Sequence, residues 1–469
     1  MHQHNPSTAS RRRWLLSAMA ALGAGLVPVL GHSDNDAGSG STPTLTPATT
    51  GLSARIVVVG GGMAGATVAK YLRLWGGSGL AVTLVEPNAS YTSSIMSNLV
   101  LNGSRSVASL AYSYSTLASR YGVVVKHASV VSVDKASKTV SLSDGSVLSY
   151  DRLVLAPGIE FDNAYGLTQN DYDSRTPHAW QAGAQTSLLA SQLAGMRNGG
   201  TFVMTIPKAP YRCPPGPYER ACLAADFLKT RFGSNTTARV IVLDENAGIQ
   251  AEVDNFNTAF GSVHKGVVDY RPGVSGIAIN PSTKAVTYVD ALKATQTFNA
   301  DVVNPIAPQR ARGSSAGGWL HNTGVNNSKD ASGNPDGRWC VVNVLSYEST
   351  AVAGIHVIGD ASSCGMPKAG HVANQEAKIC ADAVLRLLSG GQPDGAPVAN
   401  SACYSPITAS TASWLSTVYQ YDAANKKMVV AANGGNTVGA KATEAASISS
   451  GNFRQMGTWF STLMGDSFA

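Results

Sequence analysis

Arg55-Ile56-Val57-Val58-Val59-Gly60-Gly61-Gly62-Met63-Ala64-Gly65 is the stretch that decides the fold. Its first five residues form a short β-branched run, the pattern of a strand buried on both faces in a parallel sheet. Glycines at Gly60, Gly62 and Gly65 follow at the spacing Gly-x-Gly-x-x-Gly. Residues Ala66 to Trp75 read as a helix, and Ala81 to Val85 as a second strand ending on Glu86, twenty-one residues after Gly65. Strand, glycine turn, helix, strand and acid in this order make a dinucleotide-binding unit. Gly60 and Gly62 let the backbone turn tightly beside a pyrophosphate, and Met63, Ala64 and Gly65 open the helix whose amides meet its charge. Glu86, followed by Pro87, accepts the ribose hydroxyls.

Two later strands choose between cofactors. Tyr150 to Leu155 ends on Ala156-Pro157-Gly158, and Gly354 to Ile358 ends on Gly359-Asp360-Ala361. Flavoproteins with two dinucleotide folds carry both features, which points to FAD. Asp360 is then expected against the ribityl chain, with a helix in the segment Pro367 to Lys378, Lys368 included, aiming its positive end at the flavin pyrimidine. A turn or N-cap aspartate is the plainer role for Asp360. The expected fold class is α/β, with two Rossmann-like dinucleotide-binding folds in a glutathione-reductase-like arrangement and a C-terminal α+β interface domain.

A second unit of the same kind runs through a strand at Thr201 to Ile206, a helix at Gly216 to Phe232, and a strand at Arg239 to Leu243 that closes on Asp244 and Glu245. Its nucleotide loop reads Pro207-Lys208-Ala209-Pro210-Tyr211-Arg212-Cys213-Pro214-Pro215-Gly216-Pro217. Proline offers no N–H to a phosphate and fixes its own φ, so this loop cannot form an amide cradle, which argues against NAD(P)H as electron donor. The turn presents Cys213 and Glu219 instead. Six cysteines in 469 residues are too few for a disulfide-stapled scaffold. Cys340, in the return strand before Asp360, is expected to meet Cys213 over the flavin as a redox disulfide. A Cys213–Cys222 pair and purely structural roles are the alternatives, with Cys364 as a spare second thiol. Cys222 and Cys380 read as small buried hydrophobes. Cys403 receives no role.

The motif Cys213 to Arg220, Trp339-Cys340 and His356 to Ala361 resemble the flavoprotein subunit of flavocytochrome c sulfide dehydrogenase. Pro177-His178-Ala179-Trp180, Met366-Pro367-Lys368, Cys403-Tyr404-Ser405 and Asp466-Ser467-Phe468 extend the resemblance over most of the chain. It implies sulfide oxidation to sulfur or polysulfide at a cysteine pair above FAD, with electrons passed to a separate c-type cytochrome subunit in a heterodimer. Cys213 and Cys340 fall on the pair, and Glu219 on an acid near the flavin; an ion pair with Arg212 or Arg220 is the alternative for Glu219. The family commonly links FAD to a cysteine, and that position falls on Ser94 within Tyr91 to Asn98. A hydroxyl is a far poorer nucleophile than a thiolate, so FAD is expected to be non-covalent. No Cys-x-x-Cys-His occurs, so any c-type haem belongs to a partner.

Composition agrees. Charged residues make up 14% of the chain, the net charge is only +6, and no Lys/Arg run follows Arg13, which argues against nucleic acid. Arg11-Arg12-Arg13 before the apolar stretch Trp14 to Leu30 reads as a twin-arginine export signal, followed by a Ser/Thr/Pro/Gly linker, and implies a periplasmic protein. No run of about 18 apolar residues follows, so no integral membrane segment is expected. The expected boundaries are 1–50 signal and linker, 51–160 and 297–395 FAD-binding, 161–296 second dinucleotide fold, and 396–469 interface domain. Two rival readings are a sulfide:quinone oxidoreductase-like enzyme, docking through the aromatic tail around Phe453, Trp459, Phe460 and Phe468, and a non-enzymatic flavin-binding partner of a sulfur-oxidation system.

Overall fold

The computed structural model describes residues 45–431 and 442–469; the segment read as an export signal, and the expected linker up to residue 44, lie outside them. Ala54–Val59 pairs in parallel with Leu80–Val85 on one side and Arg152–Leu155 on the other, with Ile56 and Val58 wholly buried. Val124–Lys126 extends one edge and Ile355–Val357 lies beside Arg152–Leu155, so strands nearly 300 residues apart share one eight-stranded sheet. Across its outer part run Glu348–Ser349, Cys340–Asn343 and Ser362–Ser363. The helices Met63–Gly76 and Gly370–Leu388 pack against each other on this sheet. The second of these starts three residues later than the sequence suggests, because Pro367 lies in the loop before it.

A second parallel sheet is ordered Val268–Pro272, Arg239–Asp244, Thr201–Ile206, Val302–Pro305. Val302–Pro305 belongs to this sheet, so the second fold runs past the boundary expected at 296. The helix Gly216–Phe232 packs on it through Leu228 and Ala224 against Phe202 and Val240. From Val398 the chain forms an antiparallel sheet of Val398–Pro406, Ala412–Asp422, Lys427–Val430 and Thr443–Glu444, then a helix, Ser450–Phe468, whose first turn is capped by the Ser449 hydroxyl. This tail returns to the first sheet: Lys378 pairs with Asp466 at 2.7 Å and Phe468 stacks on Tyr91 at 5.1 Å. Among the described residues no helix is long and apolar enough to cross a membrane, and no side-chain group could hold a metal ion.

Arg220 joins the three regions that meet at the start of the helix Gly216–Phe232. It is 1% exposed, donating to Asn98 Oδ1 (2.8 Å), the carbonyls of His178 (2.8 Å) and Ala179 (2.7 Å), and Asn304 Oδ1 (3.0 Å), with its guanidinium 4.6 Å from the Trp180 ring. Removing it orphans three buried acceptors at once, since the His178 carbonyl also accepts from Asn304 Nδ2 at 2.9 Å. Arg220→Met is expected to lower unfolding free energy by about 3–5 kcal/mol, read as a fall in urea midpoint at unchanged slope; a change below about 1 kcal/mol contradicts the assignment.

Candidate functional site

One long cavity of about 780 Å³ runs between the two folds of the described chain. At one end Gly60 adopts φ +97°, where a Cβ would lie 2.2 Å from the Ala156 carbonyl oxygen; a Cβ on Gly65 would lie 1.7 Å from the Gly60 oxygen. These glycines let helix, strand and turn close on one another. A Cβ on Gly62, by contrast, meets only Tyr91 at 3.8 Å, so that backbone is open to the cavity. Gly62 caps the helix Met63–Gly76, whose first turn carries no acid, and its positive end is free for an anion. Glu86 Oε2 accepts from Gly61 N at 2.8 Å, and Glu86, Pro87, Met63, Ala64, Ala156, Pro157 and Gly158 all line the same space. Gly359 and Asp360 line it further along, and the Gly359 N–H donates to buried Glu376 at 2.5 Å.

At the other end the proline turn performs its own task. Cys213 stands at φ +59°, a conformation rare outside glycine, held by its N–H to the Lys368 carbonyl at 2.7 Å. Its sulfur sits against Gly216 at the start of the helix: a Cβ there would lie 2.8 Å from Sγ and 2.9 Å from the Trp180 ring. Burial pushes the Cys213 thiol up to about 12, Glu219 adds to the rise, and Arg212 and the Gly216 amide oppose it. Glu219 lines the cavity and accepts from Asn98 Nδ2 at 2.9 Å. The ion pair with Arg220 or Arg212 is not formed: Arg220 turns to neutral acceptors, and Arg212 faces Asp360 at 3.7 Å and the Trp180 carbonyl. Burial, with help from the charge of Glu252, raises the Glu219 carboxyl to about 8.

The second cysteine at this end is Cys403, not Cys340. Cys403 lines the cavity with Cys213; burial pushes the Cys403 thiol well up, and the charge of Cys213 adds to the rise. Cys340 pairs with Ser362 in the outer sheet, is wholly buried and does not line the cavity. Its strand reaches the sheet beside Asp360, as the sequence suggests, pairing with Ser362–Ser363. All six cysteines are free thiols in this structure, so neither the Cys213–Cys340 nor the Cys213–Cys222 bond is present. Lys368 does not line the cavity either: its ammonium donates to the carbonyls of Asp360 (2.8 Å) and Ser362 (2.7 Å) and lies 3.7 Å over the Trp339 ring. It fixes the loop. Ser94 and Asn98 line the cavity as expected.

Sequence reasoning missed Cys403 and its support. His371, in the first turn of the helix Gly370–Leu388, accepts from the Ala402 N–H through Nδ1 at 2.9 Å; burial and Lys378 keep it neutral, its pKa lowered to about 4. This bond fixes the Cys403 strand to a helix N-terminus facing the cavity. The Cys403-Tyr404-Ser405 motif was the available signal. In the second fold Asp244 accepts from Tyr218 Oη, Tyr270 Oη and Asn246 N, each at 2.8 Å, so the acid that would take a ribose is committed internally.

Residues 54–185 match the family model of pyridine nucleotide-disulphide oxidoreductases, and residues 186–307 that of the central part of the sulfide dehydrogenase (flavocytochrome c) flavoprotein chain. Over 46 residues, 10% of this chain, the sequence is 52% identical to the sulfide dehydrogenase (flavocytochrome c) flavoprotein chain of Chlorobaculum thiosulfatiphilum, covering 94% of that sequence. The chain belongs to the flavocytochrome c sulfide dehydrogenase flavoprotein family. A probable ferredoxin reductase of Castellaniella defragrans is 36% identical over 106 residues, 22% of this chain and about a quarter (26%) of that protein's length. The fold is that of the sulfide:quinone oxidoreductase of Aquifex aeolicus (TM-score 0.67, 16% identity, 88% of this chain and 92% of that one). Putidaredoxin reductase in its putidaredoxin complex is also similar (TM-score 0.57, 16% identity, 88% and 93% covered).

The disulphide oxidoreductase match implies a flavin, typically FAD. The residues present fit it: an open backbone at Gly62, a helix terminus free of acid, Glu86 at the adenosine end, and a cavity long enough to continue to Asp360 and the cysteines.

A carboxyl whose folded pKa lies above its unfolded value of about 4.3 binds more protons when folded, so stability is present at low pH and is lost as pH rises to the folded pKa. Glu219 therefore makes stability fall between about pH 4 and 8, by up to about 1.4 kcal/mol per pH unit. Glu219→Gln is expected to flatten the decline of urea-unfolding free energy over that range; an unchanged slope contradicts the buried acid.

Proposed function

We propose that this chain is the flavoprotein of a sulfide dehydrogenase, exported through its twin-arginine segment, and that it oxidises hydrosulfide at Cys213 and Cys403. The observation that carries this reading is two thiols and a buried acid lining the end of a dinucleotide cavity where the second fold has prolines in place of a nucleotide loop.

With the two cysteines oxidised to a disulfide, hydrosulfide attacks one sulfur. One S–S bond breaks, a new one forms to the incoming sulfur, and the other cysteine leaves as thiolate. The more stable thiolate leaves faster. Cys213 has Arg212 and the Gly216 amide to stabilise it, whereas the acidic neighbours of Cys403 push its thiol further up, so attack falls on Cys403 and Cys213 departs. Glu219 takes the proton of the persulfide. Re-forming the disulfide expels the outer sulfur as sulfane sulfur and releases two electrons, which a bound flavin would accept, while the proton taken from sulfur stays on Glu219. FAD, when bound, accepts an electron pair and gives up single electrons, which suits a c-type cytochrome partner.

The chain's own groups do the orienting. Trp180 Nε1 donates to the Arg212 carbonyl at 3.0 Å, and Arg212 N to Gln309 Oε1 at 2.8 Å, which holds the residue before Cys213 at both of its backbone groups. Ser94 stands where the family's flavin-linking cysteine would be, so nothing there can form a thioether.

Anaerobic titration tests this. Sulfide is expected to bleach the flavin of the wild type, while Cys213→Ser and Cys403→Ser each abolish bleaching and Cys340→Ser keeps it. Loss in Cys340→Ser with retention in Cys403→Ser overturns the pairing. Acid precipitation is expected to release all of the flavin; colour remaining in the pellet contradicts non-covalent binding.

A further inference from the structure

One buried acid stands outside the machinery described so far. Glu252 precedes the short helix Val253–Thr258 at φ +53°, with 1% of its surface exposed. Its Oε1 accepts from the Ser405 hydroxyl at 2.6 Å, and Ser405 lies two residues after Cys403 on the same strand. Its Oε2 makes no hydrogen bond among the described residues, although the Ser413 hydroxyl is near enough to favour its charged form. A buried carboxyl with a free oxygen and a left-handed backbone costs stability rather than adding it, which points to a use.

Its surroundings connect the cavity to the outside. Gln250 N donates to Tyr218 Oη at 3.1 Å, holding this segment against the first turn of the helix that carries Glu219. From that helix Glu219 and Cys222 both feel the charge of Glu252, with Asp226 one turn beyond Cys222; from the facing strand so does Cys403. On the outer side Glu444, half-buried, accepts from Asn255 N at 3.2 Å, and its charge reaches Glu252. Glu252 is thus held by its neighbour Gln250 beside the turn that carries Glu219, and it begins the helix whose Asn255 binds Glu444.

We propose that Glu252 is the proton exit of the site, taking the proton that Glu219 removes from sulfur and passing it to Glu444 and solvent. The inference rests on the sulfide reading. Taking hydrosulfide to the level of sulfur removes two electrons and one proton; once the electrons have left for the acceptor, that proton has to leave the buried Glu219. Burial raises Glu252 to about 7 and Glu219 to about 8, which suits both to exchange protons near neutrality. Glu252 touches neither sulfur nor flavin. It is a positioning residue acting through Glu219.

The test uses flavin-loaded protein and two readouts. In an infrared pH titration the wild type is expected to show Glu219 and Glu252 deprotonating near neutral pH, alongside the buried Glu376. Glu252→Gln is expected to remove its own signal and to shift that of Glu219 to lower pH by about half a unit or more, because a neighbouring negative charge is gone. In stopped flow, sulfide reduction of the flavin in Glu252→Gln is expected to slow about tenfold, with its acidic limb displaced to lower pH. Ser405→Ala, which keeps the carboxyl, is expected to fall between. A folded, fully yellow Glu252→Gln with the wild-type rate, pH profile and Glu219 titration overturns the relay alone. A wild type that sulfide does not reduce overturns the sulfide reading and the relay with it. Should Glu252→Gln not fold, Glu444→Gln decides: slowed proton release to a dissolved indicator dye supports the path, and unchanged release overturns it.

Discussion

The position of one sulfur atom governs the rest of the site. Cys213 is held in a left-handed conformation between the Lys368 carbonyl and the first residue of a helix, and Gly216 lets its Sγ approach where a methyl group would lie 2.8 Å away. Lys368 belongs to the flavin-binding sheet's own loop, with its ammonium on the carbonyls of Asp360 and Ser362. One hydrogen bond therefore couples the cysteine turn of the second fold to the Gly-Asp loop of the first. His371 does the same for the other thiol, joining the Cys403 strand to a helix start. Two cysteines from separate sheets line one cavity because each is fixed to the loop or helix that faces it.

The second dinucleotide fold keeps its parallel sheet and long helix while losing its nucleotide loop. Proline supplies no amide donors, and Asp244 is satisfied by two tyrosines and an asparagine, so the space and charge of a nucleotide site are used for packing. The start of its helix, which would face a phosphate, faces a thiol instead. A helix N-terminus stabilises a thiolate by the same partial charge with which it holds an anion, so the change of chemistry needed a change of loop and not of fold.

Local pattern made the architecture legible. Arg55–Val59, the glycine turn and the strand ending on Glu86 follow from periodicity and spacing, and Thr201–Ile206 and Gly216–Phe232 have the bounds read from sequence. The boundary at 296 missed because Val302–Pro305 joins the earlier sheet through a crossover that carries no local signal. Cys403 was illegible for a related reason. Its place at the cavity comes from an antiparallel sheet of another domain and a histidine 32 residues earlier, so the Cys403-Tyr404-Ser405 motif marks the segment without showing where it sits. Cys340 misled because adjacency to Asp360 in the sheet is not adjacency to the cavity: Asp360 lines it, and Cys340, paired with Ser362, does not. Glu219 read as ambiguous between ion pair and acid until Arg220 was seen to be occupied by Asn98, Asn304 and two carbonyls.

The account stands or falls on which thiols join on oxidation. Proteolytic mapping of the purified, air-oxidised protein by mass spectrometry, with free thiols alkylated first, reads this directly. A single cross-linked peptide pair carrying Cys213 and Cys403, with Cys222, Cys340, Cys364 and Cys380 alkylated only after unfolding, is the predicted result. Cys213 joined to Cys340 or Cys222, or left as a free thiol in fully oxidised protein, would contradict it.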